Sequence, residues 1–496
     1  MALVVENETD VGRLQQIVKL VQFENAQLHK RLRRMSDERD GDYQLEIQTL
    51  REQLERFERK MYGRSSERRG KGGNDSGKQD SKPRTGHGPS EQPALPIQTV
   101  TYELDPNDRA CPECGLEMDE MAGQVETSEQ IDVVQREFRL QRINRKKYRC
   151  RCGNHIETAP AAARVIPGGR YSLDFAVMVA GDKYLDHQPL ARQERAMRRQ
   201  GLDVTRQSLW DQIQVLAGHL EPTYEAIGRK VLAAPVIGAD ETTWPLLAKN
   251  ASKKWWGWAL TAPDAVYYRI APNRKAETAM ELLAPYEGTV VCDGYGVYPA
   301  ALRRLCEQRA GPVGIRLANC WSHVRRKFVE AEPNYPEAAE ALELINELFR
   351  IERTASEAGD VEAERGRLRE QRSTSLIDEL RAWMLAQRTL PKSGIGRAIA
   401  YTNNMWTGLT VFLKDPAVPL HNNASEREMR ALALGRVNHY GSRSLRGTQV
   451  AALYYTLVET AKLSGVEPMG FLATAAERAI RSPGTATLPG DIAALA

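Results

Sequence analysis

No apolar run in the 496-residue sequence approaches the roughly 18 residues that a membrane-spanning helix needs. The first ten residues, MALVVENETD, also lack the basic stretch followed by an apolar stretch that marks a secretory signal. We therefore expect a cytoplasmic protein with no membrane partner.

Cysteine is scarce, with seven residues in the whole chain, and in a reducing compartment these do not indicate a disulfide framework. Four of them form two close pairs, Cys111 with Cys114 and Cys150 with Cys152, which suits tetrahedral Zn²⁺. The Cys-x-Cys spacing of the second pair is tight, so His155 is an alternative fourth ligand. The other interpretation is a set of unliganded buried cysteines. We expect the remaining cysteines to be core residues: Cys292, Cys306 and Cys320.

The excess of positive charge is small, since 69 basic residues face 65 acidic ones. A small net charge does not exclude nucleic acid, because clustering of basic side chains decides phosphate binding. Such a cluster lies on an alternating, strand-like stretch at 136–151, which we expect to contact DNA backbone unless it is only a solvated face. Its candidate residues are Arg136, Arg139, Arg142, Arg145, Lys146 and Lys147.

Residues 3–35 carry a heptad with valine at a and leucine at several d positions, which favours a two-stranded coiled coil. Asn25 at an a position would set the register. The alternative is an amphipathic helical hairpin, continuing through Ile47, Leu50 and Leu54, that packs on its own chain. Residues 63–96 are rich in Gly, Ser, Pro and charge, and predict a flexible basic linker.

Residues 189–216 predict a helix-turn-helix-like pair. Proline suits the first turn of the first helix, Gly201 ends it, and Thr205 can cap the second. Either DNA contact or a plain helical pair fits this pattern. The candidate DNA-contacting residues are Arg195, Arg199 and Arg206.

From residue 235 short apolar strands alternate with helices, which is typical of an α/β domain. Asp240 and Asp293 each follow apolar, strand-like residues, so both are predicted at strand ends. One aspartate after a strand commonly forms a turn. Two in one α/β unit favour a shared Mg²⁺ or Mn²⁺, which prefer oxygen ligands.

The stretch HNNASEREMR at 421–430 places Glu426 at a predicted helix start, where Asn423 or Ser425 is a candidate cap. In one interpretation Glu426 and Arg430 form a surface ion pair. In the other, Glu426 completes an acidic site with the two aspartates.

The sequences GADETTW, VCDGYGVYP, ANCWSHVRRKF, HNNASEREMR and GRVNHYGSRSLRG, in this order, resemble those of the DDE transposases of the insertion-sequence-66 family. The resemblance implies a ribonuclease-H-like core whose first strand carries Asp240, whose fourth strand ends on Asp293, and whose later helix carries Glu426. It implies that these acids are catalytic and hold Mg²⁺ or Mn²⁺. Nearby phosphate-binding candidates are Arg427, Arg430 and Arg443, with Arg436 and Arg446 beyond them.

The predicted fold class is multidomain α/β: a ribonuclease-H-like catalytic core with a helical insertion, an N-terminal coiled coil and a small zinc-binding module. The predicted domains are 1–62 coiled coil, 63–96 linker, 97–165 zinc-binding module, 170–232 helix-turn-helix-like region, 235–332 first part of the core, 333–400 helical insertion and 401–496 last part of the core.

The implied function is binding of transposon ends with metal-dependent DNA cleavage and strand transfer, by a homodimer or larger homo-oligomer in the bacterial nucleoid. Companion proteins from the same element are possible partners. Two alternatives stay open: a DNA-binding regulator with an inactive core, and a nuclease without strand transfer. Trp321 and His323 are expected to border the site, with His323 contacting DNA or supporting the ligands rather than binding the metal.

Overall fold

The computed structural model describes residues 15, 18–19, 21–23, 25–27, 46–54, 99, 113, 116, 136–149, 156–248 and 254–493. These residues belong to two compact units, one formed by Met1–Tyr62 with Phe138–Ala496 and the other by Gly63–Glu137. All the elements below lie in the first unit. The predicted zinc ligands, the linker and most of the heptad lie outside the described residues.

Strands among the described residues form two sheets. They are β1 (Lys147–Arg149), β2 (Ile156–Thr158), β3 (Val236–Pro245), β4 (Lys254–Ala262), β5 (Ala265–Ala271), β6 (Gly288–Cys292) and β7 (Ile315–Asn319). The first two pair antiparallel, and the other five form a mixed sheet in the order β5-β4-β3-β6-β7. In that sheet β3, β4 and β5 are antiparallel, whereas β3, β6 and β7 are parallel. The predicted α/β character is confirmed.

Helices follow and flank this sheet. They are α1 (Leu173–Tyr184), α2 (Leu190–Arg199), α3 (Arg206–Leu232), α4 (Ala276–Leu283), α5 (Val297–Gln308), α6 (Trp321–Ala331), α7 (Ala338–Ser356), α8 (Val361–Leu368), α9 (Thr374–Ala386), α10 (Gly394–Asn404), α11 (Trp406–Leu409), α12 (Asn423–His439), α13 (Leu445–Leu463), α14 (Pro468–Arg481) and α15 (Gly490–Ala493). In the described part of the chain, none of the helices combines the length and apolar character of a membrane span.

Helix α13 covers the β5 edge of the five-stranded sheet and is buried along most of its length. Thr460 Oγ1 accepts from Val266 N and donates to Val266 O, and Thr456 Oγ1 accepts from Tyr268 N at 2.9 Å. These bonds satisfy backbone groups that an edge strand leaves unpaired. The helix therefore closes β5 to further strand pairing.

Four tryptophans lie on β3 and β4 of the five-stranded sheet. Trp244 and Trp258 are buried, and Trp255 and Trp256 are half-buried. Trp321 is also fully buried and its Nε1 donates to Leu409 O at 2.8 Å. This bond fixes Trp321 in the core, and the expectation that it borders the site stays a prediction. Of the cysteines expected in the core, Cys292 and Cys320 are buried and Cys306 is half-buried.

Helices α7 to α10 occupy most of the predicted insertion, and α7, α9 and α10 pack with α6, β6 and β7 in a second hydrophobic cluster. An ion pair lies at its margin: Arg369 is 1% exposed, donates to both oxygens of Glu352, and also donates to Phe412 O and Asp415 O. All the hydrogen bonds of this guanidinium are therefore made inside the protein.

Replacing Arg369 with alanine is expected to lower the free energy of unfolding by about 3 kcal/mol, because it removes the guanidinium bonded to both oxygens of the buried Glu352 carboxylate and leaves it only Arg365, at 3.4 Å. The control is Arg372→Ala, which removes a half-exposed ion pair with Glu347 and should cost about 1 kcal/mol or less. Chemical denaturation of both variants measures the difference. Equal losses would show that the burial of the Arg369 pair has no energetic consequence.

Residues 46–54 are helical and lie against this same region. Thr49 and Leu50 are buried, Thr49 Oγ1 lies 3.3 Å from Tyr335 Oη, and Glu52 accepts from Gly394 N at 2.7 Å. These contacts agree with the second interpretation of the N-terminal region, in which an amphipathic helical hairpin packs on its own chain. The coiled coil at 3–35 stays a prediction.

The strand predicted over 136–151 is mostly wrong. Only Lys147–Arg149 is a strand, and residues 136–146 form neither helix nor strand. Pairing with Ile156–Thr158 covers three residues, so the alternation upstream has no neighbouring strand to pair with. The six candidate basic residues are nevertheless all exposed.

The helical pair expected at 189–216 corresponds to α2 and α3. Thr205 Oγ1 accepts from Ser208 N at 3.1 Å, and Gly201 has the positive φ of 82° that ends a helix. Leu209, Ile213 and Leu216 are fully buried along one face of α3. DNA contact by this pair stays a prediction.

Candidate active site

The two aspartates lie on neighbouring parallel strands. Gly238 of β3 pairs with Val291 of β6. Because the two strands are parallel, Asp240 and Asp293, each two residues further on, lie side by side. In chain order, Asp240 is on the first strand of the five-stranded sheet, β3, and Asp293 directly follows the fourth strand, β6. The expectation that Asp240 ends its strand is wrong. Strand β3 continues to Pro245 because it pairs with β4 on its other side, where Asp240 faces Ala259.

Helix α12 brings Glu426 to the same region. Asn422 precedes the helix, is 3% exposed, and its Nδ2 donates to Ala239 O at 2.9 Å, next to Asp240. One turn later, Ser425 packs so closely on β3 that a Cβ at Gly238 would lie 2.0 Å from its Oγ. A glycine at this point of β3 thus lets the start of α12 contact the strand.

The predicted helix caps are wrong. The helix begins at Asn423, its N-cap is Asn422, and the Asn422 side chain bonds to β3 instead of capping. Ser425 is fully buried in the helix–strand contact. Among the described residues Glu426 and Arg430 form no ion pair, so the surface-pair interpretation is wrong as well. Tertiary contacts with β3 have replaced local capping at this terminus.

The acids interact electrostatically. The pKa of Asp240 is raised from 3.8 to about 7, first by burial and then by the charge of Glu241, while Asp293 and Glu426 raise it further. Asp240 Oδ1 accepts from Glu241 N, and Asp293 Oδ1 accepts from Tyr295 N. Asp293 and Glu426, as well as Glu241, therefore lie close enough to Asp240 to disfavour its ionised form. A bound cation would relieve this repulsion between carboxylates.

Without divalent metal, Asp240→Asn is expected to stabilise the protein increasingly as pH rises from 5 to 8. Burial raises the folded-state pKa of Asp240, so the folded protein pays the cost of ionising this carboxyl as pH passes from about 4 to about 7. The gain at pH 8 should reach a few kcal/mol, since one pKa unit is worth about 1.4 kcal/mol.

Thermal unfolding at several pH values, with and without Mg²⁺, measures this gain. Mg²⁺ should reduce the advantage of the variant, and Asp264→Asn, which changes a half-exposed acid, is the control. A stability difference between Asp240→Asn and wild type that does not depend on pH would contradict the assigned electrostatics.

The next acid in sequence, Glu241, belongs to a separate network that sequence analysis missed. Its side chain is 1% exposed, accepts from Arg274 Nε at 2.6 Å and accepts from the Tyr298 hydroxyl. The Arg274 guanidinium also lies 3.6 Å from the Tyr295 ring centroid. Burial raises the pKa of Glu241, while the Tyr298 hydrogen bond and the Arg274 charge act against that. The sequence held one signal for this separate role of Glu241. Adjacent side chains of a strand point to opposite faces of the sheet, so Glu241 could not share the face of Asp240.

A second group of side chains lies beside Glu426. Among the described residues, Cys320, His323 and Glu426 are the one set of three His, Cys, Asp or Glu side chains whose ligand atoms all lie within 4.8 Å of one another. His323 Nδ1 is 3.9 Å from Glu426 Oε1. The three predicted catalytic acids are less tightly grouped than this set. His323 thus lies beside Glu426, and its expected position at the border of a catalytic site stays a prediction.

Most of the predicted phosphate-binding arginines are exposed: Arg195, Arg199, Arg206, Arg427, Arg430 and Arg443. Arg206 also pairs with Glu194 at 3.1 Å. Arg436 is half-buried and bonds to Thr242 and Thr243. The Nη1 atom of Arg436 thereby joins α12 to β3, and phosphate binding by this residue stays a prediction.

Asp240 on β3, Asp293 directly after β6 and Glu426 on α12 define a protein with an acidic site on an α/β core. Residues 168–450, more than half of the chain, match the model of the Transposase IS66 family. The chain belongs to this family, as its resemblance predicted. Residues 108–153 match the zinc-finger binding domain of transposase IS66.

Curated relatives come from Sinorhizobium fredii (strain NBRC 101917 / NGR234). Uncharacterized protein y4jD is 31% identical over 404 residues, which cover 78% of each chain. Uncharacterized protein y4hP is 31% identical over 386 residues, or 73% of this chain and 69% of the relative. The similarity therefore extends over most of both sequences.

Proposed function

We propose that this protein is an active transposase that binds transposon ends and catalyses metal-dependent cleavage and strand transfer of DNA. Asp240, Asp293 and Glu426 are its catalytic, metal-holding residues. The observation that carries the proposal is the electrostatic interaction of Asp240 with both other acids, in a chain of a transposase family. We further propose that the five-stranded sheet is a ribonuclease-H-like core, with α7 to α10 as its helical insertion.

The residues present fit Mg²⁺ or Mn²⁺. These ions prefer oxygen ligands, and the site offers carboxylates from three different elements. Glu426 Oε1 is buried and has no hydrogen-bond partner among the described residues. When bound, a pair of divalent cations activates the attacking hydroxyl and stabilises the leaving oxygen of an in-line phosphoryl displacement.

The protein's own contribution is to position these acids. Asn422 and Gly238 hold the start of α12 against β3, and Arg436 joins the same two elements further along. Arg274 neutralises Glu241, so this fourth acid adds less to the repulsion at the site. Arg427, Arg430 and Arg443 are exposed on α12 and just after it, where they can bind the phosphates of a DNA strand.

DNA binding would also use the zinc module and the basic residues beside it. The zinc-finger match covers Cys111, Cys114, Cys150 and Cys152 but ends before His155, which favours four cysteine ligands for Zn²⁺. The exposed residues between Arg136 and Lys147 would contact the DNA backbone. We expect a homodimer or larger homo-oligomer, since two ends must be joined, and companion proteins from the same element.

The test mixes the purified full chain with Mg²⁺ and DNA that carries the terminal repeats of its own element. Nicking at the repeat ends followed by joining to a second DNA is the expected result. Nicking alone would favour a nuclease, and binding alone would favour a regulator with an inactive core. DNA with scrambled ends and reactions with chelator are the controls.

A further inference from the structure

The group Cys320, His323 and Glu426 is held by the backbone of two helix starts. Cys320 precedes α6, His323 lies in its first turn, and Glu426 lies in the first turn of α12. Trp321 N donates to Leu420 O at 3.1 Å, and Asn422 N donates to Cys320 Sγ at 3.2 Å. The relative position of the three side chains is therefore fixed by contacts between the two helix starts.

Two of the three ligand atoms lack a hydrogen-bond partner. His323 Nδ1 and Glu426 Oε1 are both buried atoms with no partner among the described residues. At 3.9 Å they are too far apart to hydrogen-bond to each other. Buried polar atoms without partners are costly, and an ion between them would satisfy both.

The third atom is the sulfur of Cys320, a buried thiol that accepts a hydrogen bond from Asn422 N at 3.2 Å. Burial raises the pKa of this thiol. The sulfur also lies at the N-terminus of α6, where the helix dipole favours negative charge. A metal ion at this point would displace the thiol proton to solvent.

Sulfur, nitrogen and oxygen ligands together select a transition-metal cation over Mg²⁺. Zn²⁺ lies about 2.0–2.3 Å from such ligands in tetrahedral geometry, so two of the ligand atoms are about 3.5 Å apart. The ligand atoms here lie within 4.8 Å of one another, and His323 Nδ1 is 3.9 Å from Glu426 Oε1, so binding would draw them together by about 1 Å or less. Side-chain rotation at the half-buried His323 can supply this movement.

We propose that Cys320, His323 and Glu426 bind a divalent transition-metal cation, Zn²⁺ or Co²⁺, at a site that adjoins the oxygen-ligand site and has Glu426 in common with it. This assignment rests on the proposed function in one respect: Glu426 would be a ligand of both sites. Occupancy by Zn²⁺ would then withdraw Glu426 from Asp240 and Asp293 and oppose Mg²⁺. Binding itself does not depend on catalysis, so the two proposals fail separately.

The test is a Co²⁺ titration of the full chain, followed by sulfur-to-cobalt absorption and by the number of ions bound. Cobalt in the cysteine module contributes equally to wild type and variants, so differences report this site. Cys320→Ser should lose one sulfur-to-cobalt component, and His323→Gln should weaken one equivalent of binding at least about tenfold. Cys306→Ser, a change at a free and half-buried cysteine, is the matched control.

Far-UV circular dichroism checks that each variant is folded, and the partly exposed His323 makes its substitution the safer of the two. Spectra and ion counts that are the same in wild type, Cys320→Ser and His323→Gln would overturn the proposal. If these variants lose Co²⁺ while wild type fails to cleave DNA, the metal site stands and the proposed function falls.

Discussion

Replacing Asp240 with asparagine is expected to reduce cleavage of transposon ends by about 10³-fold or more, with little change in DNA binding. The amide keeps the shape of the side chain but removes the charge that holds a divalent cation. Loss of metal assistance costs several kcal/mol of transition-state stabilisation, and each 1.4 kcal/mol is about tenfold in rate. The exposed basic residues, which lie elsewhere, still bind the DNA backbone.

Single-turnover cleavage of labelled DNA ends in Mg²⁺, with a gel-shift assay on the same preparations, measures both quantities. Asp264→Asn is the matched control, because it removes a half-exposed acid, paired with Lys230, in the turn between β4 and β5. Its cleavage rate should equal that of wild type. Cleavage retained by Asp240→Asn would exclude Asp240 as a metal ligand.

The second large effect is expected at Gly238, which is not one of the acids. An alanine Cβ there would lie 2.0 Å from Ser425 Oγ and 2.7 Å from Asn422 Oδ1, so the start of α12 must move away from β3. A displacement of about 1 Å at a catalytic group can cost about 10²-fold in rate. Overpacking of this kind should also lower the free energy of unfolding by about 1–3 kcal/mol.

Cleavage and denaturation of Gly238→Ala are compared with those of Gly218→Ala, where a Cβ on α3 meets no atom within 4 Å. The control should behave as wild type. Adding Ser425→Ala to the Gly238 variant removes the closest clash and should restore part of the activity. Wild-type cleavage by Gly238→Ala would show that α12 does not depend on this contact.

The two aspartates were predictable because the information is local. Each follows apolar, β-branched residues typical of buried strands, and parallel neighbours place equivalent ends together. The error at Asp240 has the same origin. Local sequence marks a strand but not how far pairing with β4 extends it.

Glu426 was identified by family resemblance and not by pattern. Its position depends on Asn422 bonding to Ala239 and on the missing side chain at Gly238, residues far apart in the chain. Local rules assigned the cap to Asn423 or Ser425, since such residues cap helices in isolation. Tertiary packing overrode that preference.

The roles of the arginines were hardest to predict, because a basic side chain looks the same in sequence whether it binds DNA or the protein itself. Arg436 joins α12 to β3, Arg274 neutralises Glu241, and Arg369 is buried against Glu352. Each role depends on a partner brought near by the fold. Of the α12 arginines predicted to bind phosphate, Arg427 and Arg430 are exposed and Arg436 is half-buried.

Anomalous diffraction from Mn²⁺ in a complex of the full chain with its DNA ends tests most directly that Asp240, Asp293 and Glu426 meet around divalent cations. We expect anomalous density in contact with carboxylate oxygens of all three residues and with the phosphate to be cleaved. Density that contacts the aspartates while Glu426 remains remote, or density elsewhere in the protein alone, would contradict the proposed site.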